Sequence, residues 1–150
     1  MTEPVLPDRS LRAGERVLLI DRKKRRYLVT LEVDLARESV VQVSGETPEC
    51  AATVTGSGFA ISPDLVLTNA HVVAGVAEPR VRVRLDDPGL AATVVYFDPA
   101  TDVAVLAVPG LDARPLVLAK EPARSGDPAV IAGFPESGPF RAEPARVRAE

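Results

Sequence analysis

The segment GSGFAISPDLVLTNAHVV, residues 56–73, decides the fold that this sequence predicts. Apolar residues lie on both sides of a Ser-Pro-Asp turn signal at 62–64, which indicates two antiparallel strands joined by a tight turn. Gly56 and Gly58 interrupt the first strand, and glycines there suit a bulge or the close approach of another backbone. His71, the only histidine in 150 residues, follows the second strand and begins a short helical turn that should end at Gly75.

A second segment, VVYFDPATDVAVLAV at 94–108, supplies an acid that can work with His71. A histidine acting as a general base needs a carboxylate on its other ring nitrogen, which fixes the tautomer and stabilises the imidazolium. Asp102 opens an apolar strand 31 positions after His71 and is the preferred candidate. Asp98 is the competitor, but it lies in a Phe-Asp-Pro turn, where aspartate commonly makes local hydrogen bonds.

In this order, the two segments resemble the first half of the trypsin-like (chymotrypsin-fold) serine proteases. They are most similar to the MarP-like branch, the mycobacterial acid-resistance periplasmic proteases and their actinobacterial relatives. The resemblance covers roughly residues 38–150 and implies an all-β fold, with a six-stranded antiparallel barrel that is the first of two. It also implies a serine endopeptidase with a Ser-His-Asp triad, in which His71 is the general base and Asp102 the orienting acid. The implied partner is a protein or peptide substrate, and no cofactor is needed.

The nucleophile of that family lies in a Gly-x-Ser-Gly-Gly sequence, which these 150 residues do not contain. The resemblance makes Ser57, in Gly-Ser-Gly, a structural residue of the strand before the histidine. Ser125 and Ser137 lie in loops that contain glycine and proline. The resemblance therefore implies a family of enzymes, the serine endopeptidases. We expect this chain to carry two of the three catalytic residues and to be inactive by itself.

Cys50 is the only cysteine, so no disulfide can form within the chain. The resemblance implies half of a disulfide whose partner residue is absent, while the alternative is a small buried apolar residue. One cysteine and one histidine cannot complete a zinc site, so no metal is expected.

The strand pattern predicts how the chain divides. Six strands counted from Ser39, the number that closes one trypsin-like barrel, are expected at 39–43, 50–61, 65–69, 80–85, 91–97 and 103–108. Prolines within 109–127 indicate a connection between barrels, followed by strands at 128–133 and 145–149 with unpaired edges. The expected domains are a lead and hairpin at 1–36, the first barrel at 37–120, and the start of an incomplete second barrel at 121–150.

The N-terminal segment differs in charge from the rest of the chain. Residues 1–36 carry a net charge of +2 and residues 37–150 a net charge of −5. Strands at 16–20 and 27–33 flank the charged tract 21–26, which predicts a hairpin. The segment GERVLLIDRKKRRYLVTLEVD, residues 14–34, resembles the N-terminal β module of tRNA adenine-58 N1-methyltransferases but contains no methyl-donor site. A solvated hairpin tip is preferred to an RNA contact.

Composition limits the remaining alternatives. The net charge of −3 disfavours a general nucleic-acid binder. The sequence contains neither an apolar run that could span a membrane nor a signal peptide, which predicts a cytoplasmic chain, whereas the resemblance implies a periplasmic, membrane-tethered protease. Two other functions stay open: a catalytically silent peptide-binding half-domain, and a tRNA methyltransferase module fused to a protease fragment.

Overall fold

The computed structural model describes the backbone of residues 16–20, 26–30, 33–49 and 51–148, and side chains within 36–49 and 51–148. The chain divides into two compact units, Met1–Leu35 and Ala36–Glu150. In the described part of the chain, no helix is long and apolar enough to cross a membrane. Cys50 and residues 21–25 of the charged tract predicted as the hairpin tip, 21–26, lie outside the described residues.

The first unit contains the expected hairpin. Strand β1 (Arg16–Ile20) pairs antiparallel with β2 (Arg26–Thr30). The prediction that the second strand runs to Val33 is wrong, because Val33 begins helix α1 (Val33–Ser39). This helix crosses the boundary that was expected between residues 36 and 37. Leucine, alanine, arginine and glutamate are good helix formers, but seven residues are too few to show a helical period in the sequence.

An antiparallel sheet rolls up in the second unit. Its strands in order are β7-β6-β3-β4-β5-β9-β8, and both edge strands come from one stretch of chain that is interrupted only by Ala92. Because neighbours in sequence stand at opposite edges of the sheet, the sheet must curl back on itself. The expected all-β, curled antiparallel sheet is confirmed, but it has seven strands and not six, because the strand expected at 91–97 is divided in two at Ala92. Its strands are β3 (Val40–Thr47), β4 (Ala52–Ser62), β5 (Leu65–Thr68), β6 (Arg80–Arg82), β7 (Leu90–Ala91), β8 (Thr93–Asp98) and β9 (Val103–Ala107).

Two strand boundaries differ from the prediction. The first barrel strand, expected at 39–43, runs further, because β3 continues to Thr47 and Gly45 pairs with Val54. A Cβ atom at Gly45 would collide with the Val76 side chain, so this glycine serves packing and not a turn. Strand β6 stops at Arg82 instead of residue 85, since the carboxylate of Asp87 accepts a hydrogen bond from the Arg84 backbone N–H at 3.1 Å and forms a turn there.

The core of the second unit is aliphatic. Buried and partly exposed residues alternate along β5 and β9, as expected for strands with one face on the core. The short helix α2 (Ala70–Val73) adds three buried residues to the same cluster. The buried apolar residues of this cluster are Val41, Val43, Ala60, Val66, Ala70, Val72, Val73, Val81, Ala104, Leu106, Val108 and Leu111.

A separate hairpin follows the barrel. Strand β10 (Pro128–Gly133) is found where it was predicted, but its partner β11 (Arg141–Arg146) begins earlier than the expected 145–149. The two strands pair with each other, so each has one paired edge. The register places Pro144 opposite Val130, and a proline within this segment hid the strand in the sequence.

Candidate active site

The barrel holds His71 on a turn that is anchored by its neighbours. Strand β5 leads into α2, where Ala70, Val72 and Val73 are buried while His71 points to solvent. The helix ends when the Ala74 N–H donates to the Ala70 carbonyl at 3.0 Å, and Gly75 then adopts φ +72°. The apolar neighbours therefore fix the turn and leave the imidazole free to act.

Gly56 permits this close packing of α2 on the sheet. A Cβ atom at residue 56 would lie 2.5 Å from Cγ2 of Val72 and 2.8 Å from its Cγ1. The glycine predicted to admit a close backbone approach thus admits a side chain of the helix that carries His71.

Strand pairing brings the acid to the same end of the barrel as the histidine. Strands β5 and β9 are antiparallel, and Thr68 pairs with Ala104. His71 follows Thr68 by three residues and Asp102 precedes Ala104 by two, so both project from one end of this strand pair. Asp102 has φ +55°, in the left-handed region that aspartate tolerates better than most residues.

Asp98 is occupied elsewhere. Its carboxylate accepts hydrogen bonds from Thr101 Oγ1 at 2.7 Å and from the Ala100 N–H at 2.9 Å, which close the turn between β8 and β9. The hydroxyl of Thr101, followed by the Ala100 N–H, lowers the pKa of Asp98. The structure therefore places Asp102, and not Asp98, beside the histidine.

The His71 ring and the Asp102 carboxylate form a short hydrogen-bonded pair. Nδ1 of His71 lies 2.8 Å from Oδ2 and 3.0 Å from Oδ1 of Asp102, and the His71 backbone N–H donates to Oδ1 at 3.0 Å. An ionised carboxylate has no proton to give, so this contact requires the proton to be on Nδ1. Nε2 is then left with a free lone pair, as a general base needs.

The same hydrogen bonds keep Asp102 ionised. The bond from the His71 backbone N–H, and next the bond from its ring, lower the pKa of Asp102 below that of an ordinary carboxyl group. The pair nevertheless stands open to solvent, with 71% of the His71 side chain and 44% of the Asp102 side chain exposed. Water screens their attraction there, so geometry rather than burial defines this site.

Asn69 is a third member of the site that sequence reasoning missed. Its Nδ2 donates to the Asp102 backbone carbonyl and to Asp102 Oδ2, both at 3.1 Å. Asparagine before a helix usually predicts an N-cap, but Asn69 makes no side-chain capping bond to α2. The sequence contains this residue in the Thr68-Asn69 dipeptide before Ala70. An asparagine at that position is usually read as a helix cap, so its contact with Asp102 was not predicted.

The structure does not bring the candidate serines to this pair. Ser57 is half-buried in β4, and its Oγ accepts a hydrogen bond from the Phe134 backbone N–H at 2.8 Å. Ser125 is exposed in the connection before β10, and Ser137 is exposed in a 3-10 turn, Pro135–Ser137. Within the described part of the chain, none of these three serines hydrogen-bonds to the His71 ring.

The described residues offer no obvious metal site. Across 16–20, 26–30, 33–49 and 51–148, no group of three or more His, Cys, Asp or Glu side chains could hold an ion. A cavity of about 960 Å³ lies along β3, β4 and β6, with Gln42, Arg80 and Arg82 in its lining, and does not include His71 or Asp102. The His71–Asp102 pair lies outside this cavity, at the surface, where 71% of the His71 side chain is exposed.

Comparison with known proteins identifies the class. The family described as the trypsin-like peptidase domain matches residues 56–150, and this chain belongs to that family. Serine protease Rv3671c of Mycobacterium tuberculosis, also called MarP, is 51% identical over 110 residues, which are 73% of this chain and 27% of that protein. The chain thus spans about a quarter of the length of this relative.

Other relatives and solved structures agree. A probable periplasmic serine endoprotease, DegP-like, of Pseudomonas savastanoi is 51% identical over 59 residues, 38% of this chain and 12% of that protein. The crystal structure of the Rv3671c protease in its active form superposes with a TM-score of 0.74 at 48% identity, covering 78% of this chain and 51% of that chain. An inactive form superposes with a TM-score of 0.67.

Proposed function

We propose that this chain is the part of a serine endopeptidase that carries the general base and the orienting acid. The observation that carries the proposal is the 2.8 Å contact between His71 Nδ1 and Asp102 Oδ2. These two residues lie in the segments 56–73 and 94–108, which resemble the trypsin-like serine proteases. Membership of the trypsin-like peptidase family supplies the reaction class, peptide-bond hydrolysis.

In the proposed reaction, His71 moves a proton and Asp102 holds the ring. Nε2 of His71 accepts the proton of a serine hydroxyl as the oxygen attacks the peptide carbonyl, and the same nitrogen later protonates the leaving amine. Asp102 stays ionised and stabilises the imidazolium through Nδ1. Because the carboxylate is already held by the His71 backbone N–H, little reorganisation is needed when the ring becomes charged.

The nucleophile is not Ser57, Ser125 or Ser137. Ser57 Oγ accepts the Phe134 N–H, and the other two serines lie in exposed loops with no hydrogen bond to the His71 ring. Since a triad acts as a unit, the 150 residues alone should not hydrolyse peptides. The proposed substrate is a protein or peptide, and no cofactor enters the mechanism.

We also propose an extracytoplasmic setting for the enzyme. The DegP-like relatives are described as periplasmic, and the chain shares the trypsin-like peptidase domain with them. The apolar runs of the sequence alone had predicted a cytoplasmic chain, and the resemblance had implied the periplasmic setting that agrees with this proposal.

Nitrogen NMR of the single histidine tests the proposed role directly. With ¹⁵N-histidine in the chain, neutral His71 should carry its proton on Nδ1, the minor form of free histidine. Asp102→Asn should shift the neutral ring toward the Nε2–H form, while Asp98→Asn should leave it unchanged. A ring that keeps the same tautomer in the Asp102→Asn variant would contradict the assigned roles.

A serine-reactive fluorophosphonate probe tests the assignment of the serines. The chain should show no stoichiometric labelling, because no serine is activated by His71. Labelling of Ser57, Ser125 or Ser137 that His71→Ala abolishes would show that the nucleophile lies within these residues. Tight binding of peptides with a correct His71 tautomer and no labelling would favour the silent peptide-binding alternative for the isolated chain.

A further inference from the structure

We propose that Asn69 is a positioning residue that locks the left-handed backbone and the carboxylate of Asp102, and through them the tautomer of His71. The inference deepens the proposed function and rests on it, because a fixed tautomer matters only if His71 is a base. Asn69 has one amide group, and both bonds from its nitrogen go to the same residue.

The two bonds constrain Asp102 in different ways. The bond to the Asp102 carbonyl, 3.1 Å, ties Asn69 to the backbone of a residue with φ +55°. The bond to Oδ2, also 3.1 Å, engages the oxygen that lies 2.8 Å from His71 Nδ1. Oδ1 receives the His71 backbone N–H at 3.0 Å, so each carboxylate oxygen has a donor besides the ring. The carboxylate therefore cannot rotate without losing a bond.

Burial does not provide this restraint. The Asp102 side chain is 44% exposed, and the pair lies on an open surface where water competes for every polar group. A carboxylate there needs hydrogen-bond donors to keep one orientation. The amide of Asn69 donates one bond to the carboxylate and a second to the backbone carbonyl of the same residue. Asn69 lies only two positions before His71, so the same turn of chain positions the acid and the base.

The helix explains the position of Asn69 but not its contacts. Asn69 stands at the N-cap of α2 with extended φ and ψ, yet its side chain bonds to Asp102 and makes no capping bond. The loop of Asp102 does not depend on Asn69 for closure either, since Asp98 already closes the turn through Ala100 and Thr101. Positioning of Asp102 accounts for both hydrogen bonds that the Asn69 amide donates.

The chain suits a test that needs no activity, because it contains one histidine and one asparagine. In protein labelled with ¹⁵N in these two residues, the side-chain amide signals of Asn69 should shift with pH as Asp102 titrates, with a midpoint below that of an ordinary carboxyl group. Asn69 signals that do not follow the Asp102 titration would overturn the proposal.

Variants of Asn69 separate positioning from a general loss of structure. Asn69→Ala should raise the pKa of Asp102, read from its ¹³C carboxyl signal, and move neutral His71 toward the Nε2–H tautomer. Asn69→Leu is close to the native side chain in shape, donates nothing and adds no charge, and should shift both quantities in the same direction. Thr101→Val, which removes a donor to Asp98 in the neighbouring turn, is the matched control and should change neither.

The outcome also distinguishes the inference from the proposed function. If Asp102→Asn changes the His71 tautomer and neither Asn69 variant does, the positioning role is wrong and the function stands. If Asp102→Asn itself leaves the tautomer unchanged, the proposed function fails, whatever the Asn69 amide signals show. If the Asn69→Ala chain does not fold, the uncharged Asn69→Leu variant, which keeps the volume of the side chain, decides the question.

Discussion

At the scale of single residues, the geometry of the site depends on the Asp102 carboxylate, which is held by two residues, His71 and Asn69. The sequence predicts that His71 and Asp102 meet, because each follows or precedes a strand with a recognisable motif. It cannot predict Asn69, since asparagine before a helix has a common structural meaning that local sequence alone does not override. It also cannot predict the left-handed φ of Asp102, which depends on partners brought together by the barrel.

The lowered pKa of Asp102 makes a pH-dependent contribution to stability. The group binds a proton more weakly in the folded chain than in the unfolded chain, where its pKa is about 3.9. Its stabilising contribution is therefore present above that value and is lost as pH falls through the folded pKa. In urea unfolding, Asp102→Asn should be less stable than the native chain at pH 7, with the difference vanishing in acid.

Asp112→Asn removes the same charge at an exposed residue outside the site and is the matched control for this comparison. A destabilisation by Asp102→Asn that is the same at neutral and acidic pH would contradict the assigned hydrogen bonds.

At the scale of secondary-structure elements, glycines and one serine fix how strands meet their neighbours. The sequence predicts that Gly56 and Gly58 allow a close approach, and the structure shows Val72 of α2 against Gly56 and Val66 against Gly58. The identity of the approaching residue was beyond the sequence, because it comes from another element. The same holds for Ser57, whose partner Phe134 is 77 positions away.

Gly56→Ala should destabilise the barrel by about 1–3 kcal/mol, the usual cost of an extra methyl group in a packed core. The added Cβ would overlap Cγ2 of Val72, at 2.5 Å. Val72→Ala in the same chain removes the overlapping atoms, so the double variant should be less destabilised than the two single changes added together. Additive free energies of unfolding would show that the two residues do not compete for space.

Ser57→Ala should leave the buried Phe134 N–H without its acceptor, at a cost of about 1–3 kcal/mol. Amide hydrogen exchange at Phe134 should accelerate, whereas exchange at Ala104 in the centre of the sheet should be slowed as in the native chain. Unchanged exchange at Phe134 would mean that the serine hydroxyl does not tie β4 to the segment after β10.

At the scale of the whole molecule, the barrel is the part that the sequence predicts best. Strands of valine, leucine and alanine with turn signals between them determine the all-β fold, and the segment at 90–98 supplies both edge strands of the curled sheet. Helix α1 and strand β11 were not predicted as they occur, the first because it is only seven residues long and the second because it contains Pro144. Short elements and proline-containing strands depend on tertiary partners that local sequence does not reveal.

A chain that begins at Val33 should keep the stability of the barrel. The chain divides at Leu35, and the core residues whose side chains the structure describes, within 36–49 and 51–148, belong to the second unit. Starting at Val33 retains all of α1, so the thermal midpoint should change by less than about 4 °C, the shift produced by about 1 kcal/mol in a domain of this size. A much larger fall in the midpoint would show that residues 1–32 contribute to the stability of the barrel.

The central claim is that these residues supply the base and acid of a serine endopeptidase. The most direct measurement is the kcat/KM for peptide hydrolysis by a chimaera. It joins residues 36–150 to the part of the Rv3671c protease that this chain does not match, since the match covers 51% of that solved chain. The chimaera should hydrolyse peptides, and Asp102→Asn should reduce the rate by about 10⁴-fold, with His71→Ala at least as severe and Asp98→Asn close to native. A folded chimaera that hydrolyses peptides equally well with His71→Ala would contradict the claim.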